Sequence, residues 1–306
     1  MVSKLFLEWL ESKYSEFVFL NESMKNHTSF KIGGAADVLI KPQNEEMIID
    51  ILKKIKEYNV PLTVMGNGSN LIVLDSGVRG VIIKIGNCFN KLQCEDNVLK
   101  VGAGVSLAKV ANFAKDNNLT GLEFAVGIPG SLGGAVFMNA GAYDGEMSKI
   151  IDGVSVIDLD GNKHFYTKED LFFDYRFCNI QTIDCIIVDV VISLQKGEQA
   201  MIIDKMNCFT TRRNSKQPLE YPSAGSVFKR PVGNYAGTLI DKAGLKGFKI
   251  GGAEVSTKHA GFIINSGDAS AKNVLDLIEH VKEVVYKKNN IKLETEVRVI
   301  GEKSCV

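Results

Sequence analysis

A run of small residues between Gly121 and Gly145, GLEFAVGIPGSLGGAVFMNAGAYDG, constrains this chain more than any other segment. Small residues interrupt an otherwise apolar stretch at nearly every third position. Glycine permits positive φ and lets another group come close to the backbone. Because Glu123, Pro129 and Ser131 interrupt the run, it is a poor transmembrane helix. We therefore expect this backbone to lie against a ligand or another part of the chain.

A second segment of the same character, MGNGSNLIV, follows a predicted strand, PLTV. Its Gly66 and Gly68 can adopt positive φ, and successive amides in such a turn can form an anion-binding nest. In the first segment, Ser131 is placed to cap a helix whose free N–H groups favour an anion. Two nests suit a pyrophosphate and favour a dinucleotide, although neither segment matches GxGxxG or GxxxxGK[ST]. Tight turns and a glycine-packed helix are the alternative.

The overall composition is that of a globular protein with room for two domains. At 306 residues the chain exceeds the roughly 250 to 300 residues at which single cores stop growing. The 36 basic and 36 acidic residues cancel, which removes an electrostatic reason to expect nucleic acid as a partner. Any bound anion must therefore be held by a local site.

The cysteines and the N-terminus favour a cytoplasmic location. The cysteines, including Cys178 and Cys305, form no CxxC pair and no cluster with histidines, so we expect neither a metal site nor a disulfide framework. The N-terminal stretch MVSKLFLEWLESKYSEF carries charges among its apolar positions and predicts an amphipathic helix, not a signal peptide. We expect no membrane insertion.

Helical and β patterns together predict an α+β protein. The stretch NEEMIIDILKKIKEYN has one apolar face, and LIVL, RGVIIKI and VLKVGAG are short β-branched runs between turn residues. The helix SLAKVANFAKDNN and the strands VSVIDLD and CIIVDVVISLQ follow. From Glu198 the pattern changes to a long helix, a glycine-rich segment, the helix SAKNVLDLIEHVKEVVYKK and a final strand, LETEVRVI. We place a junction near residue 198.

Six motifs together resemble those of the UDP-N-acetylenolpyruvoylglucosamine reductase (MurB) family. They are, in chain order, HTSFKIGG, GNGSNLIV, GIPGSLGGAVFMNAGAY, DYRF, SAGSVFKRP and LETEVR. The first three resemble the FAD-binding half of flavoproteins of the vanillyl-alcohol-oxidase (PCMH) type, while the last three are particular to this reductase family. The resemblance covers nearly the whole chain.

The resemblance implies a fold and a reaction. It implies a two-part FAD-binding domain of the PCMH type in residues 1–197, with its core at about 27–197 after the N-terminal helix, and a C-terminal α+β substrate-binding domain in residues 198–306. The implied reaction reduces the enolpyruvyl ether of a UDP-N-acetylglucosamine derivative to UDP-N-acetylmuramate for peptidoglycan synthesis. NADPH supplies the hydride through non-covalently bound FAD. We expect a monomer.

By the same resemblance, the FAD pyrophosphate and flavin lie against the two glycine-rich segments. The residues expected to bind FAD are Gly66, Asn67, Gly68, Ser69, Asn70, Ile128, Pro129, Gly130, Ser131, Gly134, Gly141 and Ala142.

Hydride addition to the β-carbon of the enolpyruvyl group builds negative charge on the adjacent carbon and its carboxylate. That adjacent carbon must then take a proton. The site therefore needs a cationic clamp and a proton donor. By resemblance, Arg176 and Glu296 are the stabilising pair, and Ser226 is the proton donor. From the residues alone, Arg176 could instead pair with a nearby aspartate, and Ser226 could be a turn residue. Alternation along LETEVRVI places Leu293, Thr295, Val297 and Val299 on one face and Glu294, Glu296 and Arg298 on the other.

Further polar residues are candidates for binding the UDP-sugar. Resemblance favours Lys216 and Tyr143, and Tyr175 adjoins the catalytic arginine. Charge alone suggests Arg213, Lys229 and Arg230 for the substrate diphosphate, and a solvated basic face is the alternative.

One position departs from the family, since Cys178 stands where many members have serine. This departure puts local hydrogen bonding in doubt more than activity. The short stretch between Arg176 and the helix near Glu198 resembles the subclass that lacks an extra tyrosine-bearing loop. Two other functions remain open: another PCMH-type FAD oxidoreductase acting on a sugar or alcohol, and a non-catalytic nucleotide-binding module.

Overall fold

The protein was described from a computed structural model, which covers residues 2–86 and 88–302, so that Cys305 lies outside the described residues. The α-helices are α1 (Lys4–Tyr14), α2 (Glu45–Glu57), α3 (Leu107–Asp116), α4 (Leu132–Phe137), α5 (Gln199–Lys216), α6 (Ala236–Lys242) and α7 (Ala271–Asn289). The strands are β1 (Val18–Ser23), β2 (Ala35–Ile40), β3 (Leu62–Met65), β4 (Leu71–Val73), β5 (Val78–Lys84), β6 (Leu92–Glu95), β7 (Val98–Gly102), β8 (Leu119–Thr120), β9 (Gly141–Ala142), β10 (Gly145–Glu146), β11 (Ile151–Asp158), β12 (Lys163–Thr167), β13 (Phe173–Asp174), β14 (Phe177–Cys178), β15 (Cys185–Ser193), β16 (Gln195–Lys196), β17 (Ser223–Ser226), β18 (Lys249–Ile250), β19 (Ala253–Val255), β20 (Phe262–Asn265) and β21 (Arg298–Ile300).

The helices begin where the sequence supplies caps. The side chain of Asn44 accepts the amide of Met47 at the start of α2, and the predicted apolar face of α2 is buried. In α7, Ser270 and Asn273 form a capping box, and Asn290 ends the helix in the left-handed conformation. The predicted amphipathic N-terminal helix is α1, which buries Phe6 and Leu10. No helix in the described part of the chain has both the length and the apolar character of a membrane span.

Contacts divide the chain into two compact units. The first unit comprises Met1–Phe19, Leu39–Asn67 and Gly80–Arg213, and the second comprises Leu20–Val38, Gly68–Arg79 and Asn214–Val306. The units do not follow a linear division at residue 198, because two short N-terminal segments cluster with the C-terminal part. The assignment of FAD binding to residues 1–197 and substrate binding to 198–306 stays a prediction.

The first unit contains a five-stranded antiparallel sheet in the order β12-β11-β15-β7-β6. Strand β15 pairs with β7 from Asp189 opposite Gly102 to Ser193 opposite Val98. The sequence CIIVDVVIS forms this central strand because its β-branched residues suit a sheet that is covered on one face and pleated with period two. Elsewhere, β3 and β5 pair in parallel within a four-stranded sheet of order β1-β2-β5-β3.

The second unit has its own core. A four-stranded sheet of order β17-β20-β19-β18 packs with α6 and α7, and α7 contributes the buried side chains of Val274, Leu277, Ile278, Val281 and Val285. These positions recur three or four residues apart, as the helical pattern of the sequence predicts.

The predicted final strand is shorter than expected. Only Arg298–Ile300 is a strand, which pairs in parallel with β4, so the expected strand over LETEVRVI was wrong for residues 293–297. The amides of Glu296 and Val297 both point to the carbonyl oxygen of Val227, at 2.7 and 3.5 Å, which breaks the period-two alternation. As a result, Val299 is 43% exposed although the alternation grouped it with the buried Leu293 and Val297.

Candidate active site

The two glycine-rich segments meet in the first unit. A Cβ atom built on Gly66 would collide with Oγ of Ser131. That Oγ accepts the amide of Gly134 at 3.4 Å, so Ser131 caps α4 as predicted. The position after strand β3 and the start of α4 are therefore neighbours, and only a residue without a side chain fits at position 66.

The glycines of the long segment have two different roles. A Cβ on Gly133 would lie 2.9 Å from Cβ of Ala103, and a Cβ on Gly145 would enter the ring of Phe124. These glycines are required by packing within the protein. By contrast, Gly134 is exposed, and a Cβ there would meet only Oγ of Ser131, at 3.3 Å, among the described residues. Packing therefore does not explain the glycine at position 134.

The backbone around Gly134 suits an anionic group. Gly130 has φ of +139°, and its carbonyl accepts the amide of Leu107 at 3.1 Å, which fixes the turn that leads into α4. The capping serine, the open glycine and the preceding turn, which also contains Ile128 and Pro129, fit a diphosphate-bearing cofactor such as FAD. Gly141 and Ala142 form strand β9 after the same helix.

In the shorter glycine-rich segment, MGNGSNLIV, the residues from Gly68 onwards belong to the second unit. Gly68 has φ of +67°, as its position in a tight turn predicts, and its carbonyl accepts the amide of Ser29 at 3.2 Å. The carbonyl of Ser69 accepts the hydroxyl of Ser29 at 3.4 Å. Asn70 donates its side-chain amide to the carbonyl of Glu296 at 3.4 Å, and its own carbonyl accepts the amide of Arg298 at 3.0 Å. Asn70 thus supports the segment that carries Glu296.

The candidate arginine lies at the tip of a short hairpin, Phe173–Cys178, in the first unit. Strands β13 and β14 pair around a two-residue turn of Tyr175 and Arg176. Arg176 has φ of +58°, a conformation that is uncommon and costly for a residue other than glycine. Its guanidinium donates to the carbonyl of Gly141 at 3.3 Å and lies 5.0 Å from the centre of the Tyr175 ring.

The two aspartates near Arg176 in the sequence, Asp170 and Asp174, make local bonds. The carboxylate of Asp170 accepts both the amide and the hydroxyl of Thr167, at 2.8 and 2.9 Å. These bonds lower the pKa of Asp170 below its ordinary value. The carboxylate of Asp174 accepts the amide of Tyr175 at 2.6 Å. The Asp170 bonds organise the turn that precedes the hairpin, and the Asp174 bond lies within the hairpin itself.

Two amide side chains that sequence reasoning missed hold the hairpin. Asn139 is buried and donates to the carbonyl of Asp174 at 3.0 Å, while its own Oδ1 accepts the amide of Ser148 at 3.0 Å. Gln181 donates to the carbonyl of Phe137 at 2.6 Å and to the carbonyl of Arg176 at 3.2 Å. No local pattern marks either residue, because their partners are distant in sequence.

Tyr143 occupies a second strained turn. Tyr143 and Asp144 join β9 to β10 with φ of +51° and +64°, as in a type I′ hairpin. The Tyr143 ring stacks on Phe209 with centroids 4.3 Å apart, and its hydroxyl donates to the Phe209 carbonyl at 3.2 Å. The guanidinium of Arg212 lies 5.1 Å from the ring centre. Tyr143 is therefore anchored to helix α5.

Ser226 and Glu296 come together in the second unit. Ser226 is exposed and follows Gly225, whose φ of +77° accompanies a bulge where β17 pairs with β20. The next residue, Val227, accepts the amide of Glu296 at 2.7 Å. A bridge between Phe228 and Thr295 extends this antiparallel contact. Two residues assigned to the chemistry thus lie on neighbouring, hydrogen-bonded segments.

The basic candidates differ in their surroundings. Arg213 is half-buried in the first unit, its side-chain stem lies against Gly127, and burial lowers the pKa of its guanidinium. In the second unit, Lys216 is exposed at the end of α5. Lys229 forms a 3.3 Å ion pair with Glu294, and Arg230 lies 4.1 Å from the centre of the Tyr235 ring. Lys216 and Arg230 are exposed, and the assignment of the basic residues to the substrate stays a prediction.

Within residues 2–86 and 88–302 there is no group of three or more His, Cys, Asp or Glu side chains arranged to hold a metal ion. Cys178 is buried, which raises the pKa of its thiol, and its Sγ lies 3.6 Å from Oδ1 of Asn179. The thiol thus donates one local hydrogen bond at this position, to the side chain of the next residue.

Two known protein families match separate parts of the chain. Residues 36–164 match the FAD binding domain family, and residues 217–300 match the C-terminal domain of UDP-N-acetylenolpyruvoylglucosamine reductase. These matches confirm the predicted fold class, an FAD-binding domain joined to an α+β C-terminal domain.

Individual relatives match over almost their full length. A UDP-N-acetylenolpyruvoylglucosamine reductase of Clostridium perfringens strain SM101 is 51% identical over 286 residues, which cover 94% of each chain. The enzyme of the same name from Clostridium tetani is 48% identical over 96% of this chain and 95% of its own. The crystal structure of UDP-N-acetylenolpyruvylglucosamine reductase (MurB) from Thermus caldophilus superposes with a TM-score of 0.79 at 36% identity, over 92% of this chain and 98% of that one. The chain belongs to the UDP-N-acetylenolpyruvoylglucosamine reductase family.

Proposed function

We propose that this protein reduces UDP-N-acetyl-3-O-(1-carboxyvinyl)-glucosamine to UDP-N-acetylmuramate, a peptidoglycan precursor, with electrons from NADPH. In the balanced reaction a hydride adds to the terminal carbon of the enolpyruvyl double bond, and a proton adds to the carbon that bears the carboxylate and the ether oxygen. NADPH becomes NADP⁺. FAD supplies, when bound, the two-electron relay between nucleotide and sugar. Membership of the reductase family over nearly the whole chain supports this proposal.

The glycine cradle would hold the FAD. Gly66, Ser131 and Gly134 are its centre. The backbone at Gly66 lies against the side chain of Ser131, and packing does not explain why position 134 is a glycine. Asn67, Gly68, Ser69, Asn70, Ile128, Pro129, Gly130, Gly141 and Ala142 would complete the binding set. The cofactor is held without a covalent link.

The single observation that carries the assignment of the chemistry is the adjacency of Ser226 and Glu296. The amide of Glu296 bonds to the residue that follows Ser226. We assign protonation of the substrate carbon to the Ser226 hydroxyl. Glu296 and Arg176 stabilise the charge that develops during the reaction, and the planar fork of the arginine suits a carboxylate.

The remaining binding roles follow from charge and family. Lys216, Tyr143 and Tyr175 contact the UDP-sugar in this proposal. Arg213, Lys229 and Arg230 are candidates for its diphosphate. We also propose that the protein is a monomer of the loop-lacking subclass and acts in the cytoplasm, where NADPH and UDP-sugars are made.

The direct test is an assay of the purified protein. It should carry the visible absorption bands of flavin, oxidise NADPH only when the enolpyruvyl UDP-sugar is added, and yield a product heavier by two hydrogens in mass spectrometry. A colourless protein that FAD does not reconstitute would favour a nucleotide-binding module. Flavin that is reduced by a sugar or alcohol and reoxidised by oxygen, without turnover of the UDP-sugar, would favour another PCMH-type oxidoreductase.

A further inference from the structure

The strained turn at Arg176 raises the question of what keeps this residue in place. Its left-handed backbone, with φ of +58°, is unfavourable for arginine and persists only where the surroundings fix it. The turn is two residues long and the hairpin has two residue pairs, so the hairpin alone offers little restraint. The restraint must come from contacts outside the hairpin.

Gln181 supplies such a contact. It lies in a short 3₁₀ turn, Asn179–Thr182, directly after the hairpin. Its side-chain Nε2 lies 2.6 Å from the carbonyl oxygen of Phe137 and 3.2 Å from that of Arg176. Because both neighbours are acceptors, the atom between them must carry hydrogens, and a carboxamide supplies two. One side chain therefore connects the backbone of Arg176 to the end of helix α4.

Asn139 fixes the opposite strand of the hairpin in a similar way. It is 2% exposed, and its Nδ2 donates to the Asp174 carbonyl while its Oδ1 accepts the Ser148 amide. Asn139 itself follows α4 and has φ of +40°. Both sides of the hairpin turn are thus bonded, directly or through Gln181, to the glycine-rich segment Gly121–Gly145. All of these residues belong to the first unit.

We propose that Gln181 is a positioning residue for catalysis, which holds the Arg176 backbone in register with the glycine-rich segment. This inference rests on the role of Arg176 in the proposed function. A guanidinium that is displaced by about 1 Å loses its alignment with the reacting group, and such misplacement can cost on the order of 100-fold in rate. Gln181 acts through the arginine and not on the substrate.

Three substitutions at this position separate shape, donor and charge. Gln181→Met keeps the size but removes both donors, and Gln181→Glu places a carboxylate between two carbonyl oxygens. Gln181→Lys restores an N–H donor on a chain of similar length. Thr182→Val is the matched control, since it removes the 2.7 Å bond from the Thr182 hydroxyl to the Asn179 carbonyl in the same turn and does not touch Arg176.

The measurements are flavin content, melting temperature, kcat and KM for the UDP-sugar. We expect all four proteins to retain FAD. Gln181→Met should lose about tenfold in kcat with KM nearly unchanged, as expected when an interaction of the transition state is lost, and Gln181→Glu should lose more. The kcat of Gln181→Lys should stay within about threefold of the wild-type value, and the kcat of Thr182→Val should equal the wild-type value. If Gln181→Met and Gln181→Glu do not fold, Gln181→Lys still tests the positioning role of Gln181. A tenfold loss of kcat in that folded variant, which keeps an N–H donor, would overturn the inference.

A double-mutant cycle with Arg176→Met distinguishes positioning from general stabilisation. If Gln181 acts through Arg176, adding Gln181→Met to Arg176→Met should change kcat by less than about twofold. Additive losses would mean a purely structural role and would overturn the inference. If Arg176→Met itself keeps wild-type turnover, the assigned role of Arg176 fails and this inference fails with it. If Arg176→Met is slow while the Gln181 variants behave like Thr182→Val, only the positioning role of Gln181 fails.

Discussion

The backbone amide of Glu296 donates a hydrogen bond to the carbonyl oxygen of Val227 at 2.7 Å, which fixes Glu296 beside the residue that follows Ser226. The bond joins main-chain atoms, so the neighbourhood of Ser226 and Glu296 does not depend on either side chain. The adjacent bridge between Phe228 and Thr295 adds to the same contact. Substituting either side chain should therefore alter the chemistry while leaving the arrangement intact.

The open space at Gly134 predicts a cofactor-specific defect. Valine is at least as favourable as glycine inside a helix, and a Cβ at position 134 would meet only Oγ of Ser131 among the described residues, at 3.3 Å, which a shift of a few tenths of an ångström in that side chain relieves. We expect Gly134→Val to fold and to lose bound FAD. The ratio of flavin absorbance to protein absorbance after gel filtration measures this loss. The control is Gly86→Val in the same unit, where a Cβ meets no atom of the described residues within 4 Å apart from its chain neighbours, and flavin should be retained. A folded Gly134→Val protein with stoichiometric FAD would refute the cradle.

Arg176→Lys should be a poor replacement even though it keeps the charge. An ammonium cannot reproduce the two-point grip of a guanidinium on a carboxylate. We expect turnover to fall by at least about tenfold, which corresponds to about 1.4 kcal/mol of transition-state stabilisation. Steady-state kinetics with the enolpyruvyl UDP-sugar measures it, with circular dichroism as the check on folding. Wild-type turnover in Arg176→Lys would restrict this arginine to a structural role.

Glu123, at the start of the glycine-rich segment, should contribute to stability in a pH-dependent way. Its buried carboxylate accepts the Thr120 hydroxyl at 2.6 Å and the Gly121 amide at 2.9 Å, and Lys205 lies 3.8 Å away. Burial acts to raise its pKa, but these hydrogen bonds and the nearby lysine outweigh burial and lower the pKa. A lowered pKa in the folded state adds stability that is full above the ordinary value of 4.5 and is lost as the pH falls through the lowered value.

We therefore expect Glu123→Gln to reduce the free energy of unfolding by about 1–3 kcal/mol at neutral pH. The difference from wild type should shrink as the pH is lowered through the acid range. Urea unfolding followed by the fluorescence of Trp9 measures both effects. Glu8→Gln, at an exposed ion pair on α1, is the control and should change little. A difference that stays constant down to the acid range would contradict this account of Glu123.

Sequence periodicity was sufficient to predict the helices and strands that have local hydrogen-bond partners or long hydrophobic patterns. The apolar face of α2 was predicted and is buried in the structure. The segment LETEVRVI was not predictable, because two successive amides at Glu296 and Val297 turn to one carbonyl oxygen contributed by a distant part of the chain. The alternation of side chains between the two faces of a strand requires regularly spaced hydrogen bonds to a neighbouring strand, and it fails at such an irregularity.

Prediction of the candidate site from the sequence was limited in the same way, by contacts between residues that are distant along the chain. The helix cap at Ser131 could be predicted from the serine and the glycines that follow it. The restraints on the Arg176 hairpin could not, since Asn139 and Gln181 form their bonds to backbone carbonyls, and any sequence can supply a carbonyl. The distinction between Gly133, which packs on Ala103, and Gly134, where a Cβ would meet only Oγ of Ser131 among the described residues, also required the structure.

The measurement that tests the assigned chemistry most directly follows the two half-reactions of Ser226→Ala by anaerobic stopped-flow absorbance. Alanine removes only the hydroxyl of an exposed residue, so binding of FAD and sugar nucleotide should survive. We expect NADPH to bleach the flavin at a rate within about a few-fold of wild type, and reoxidation by the enolpyruvyl UDP-sugar to slow by on the order of 100-fold or more, the usual scale for a lost general acid. If both steps slow equally, or if neither slows, Ser226 does not donate the proton and the assignment is contradicted.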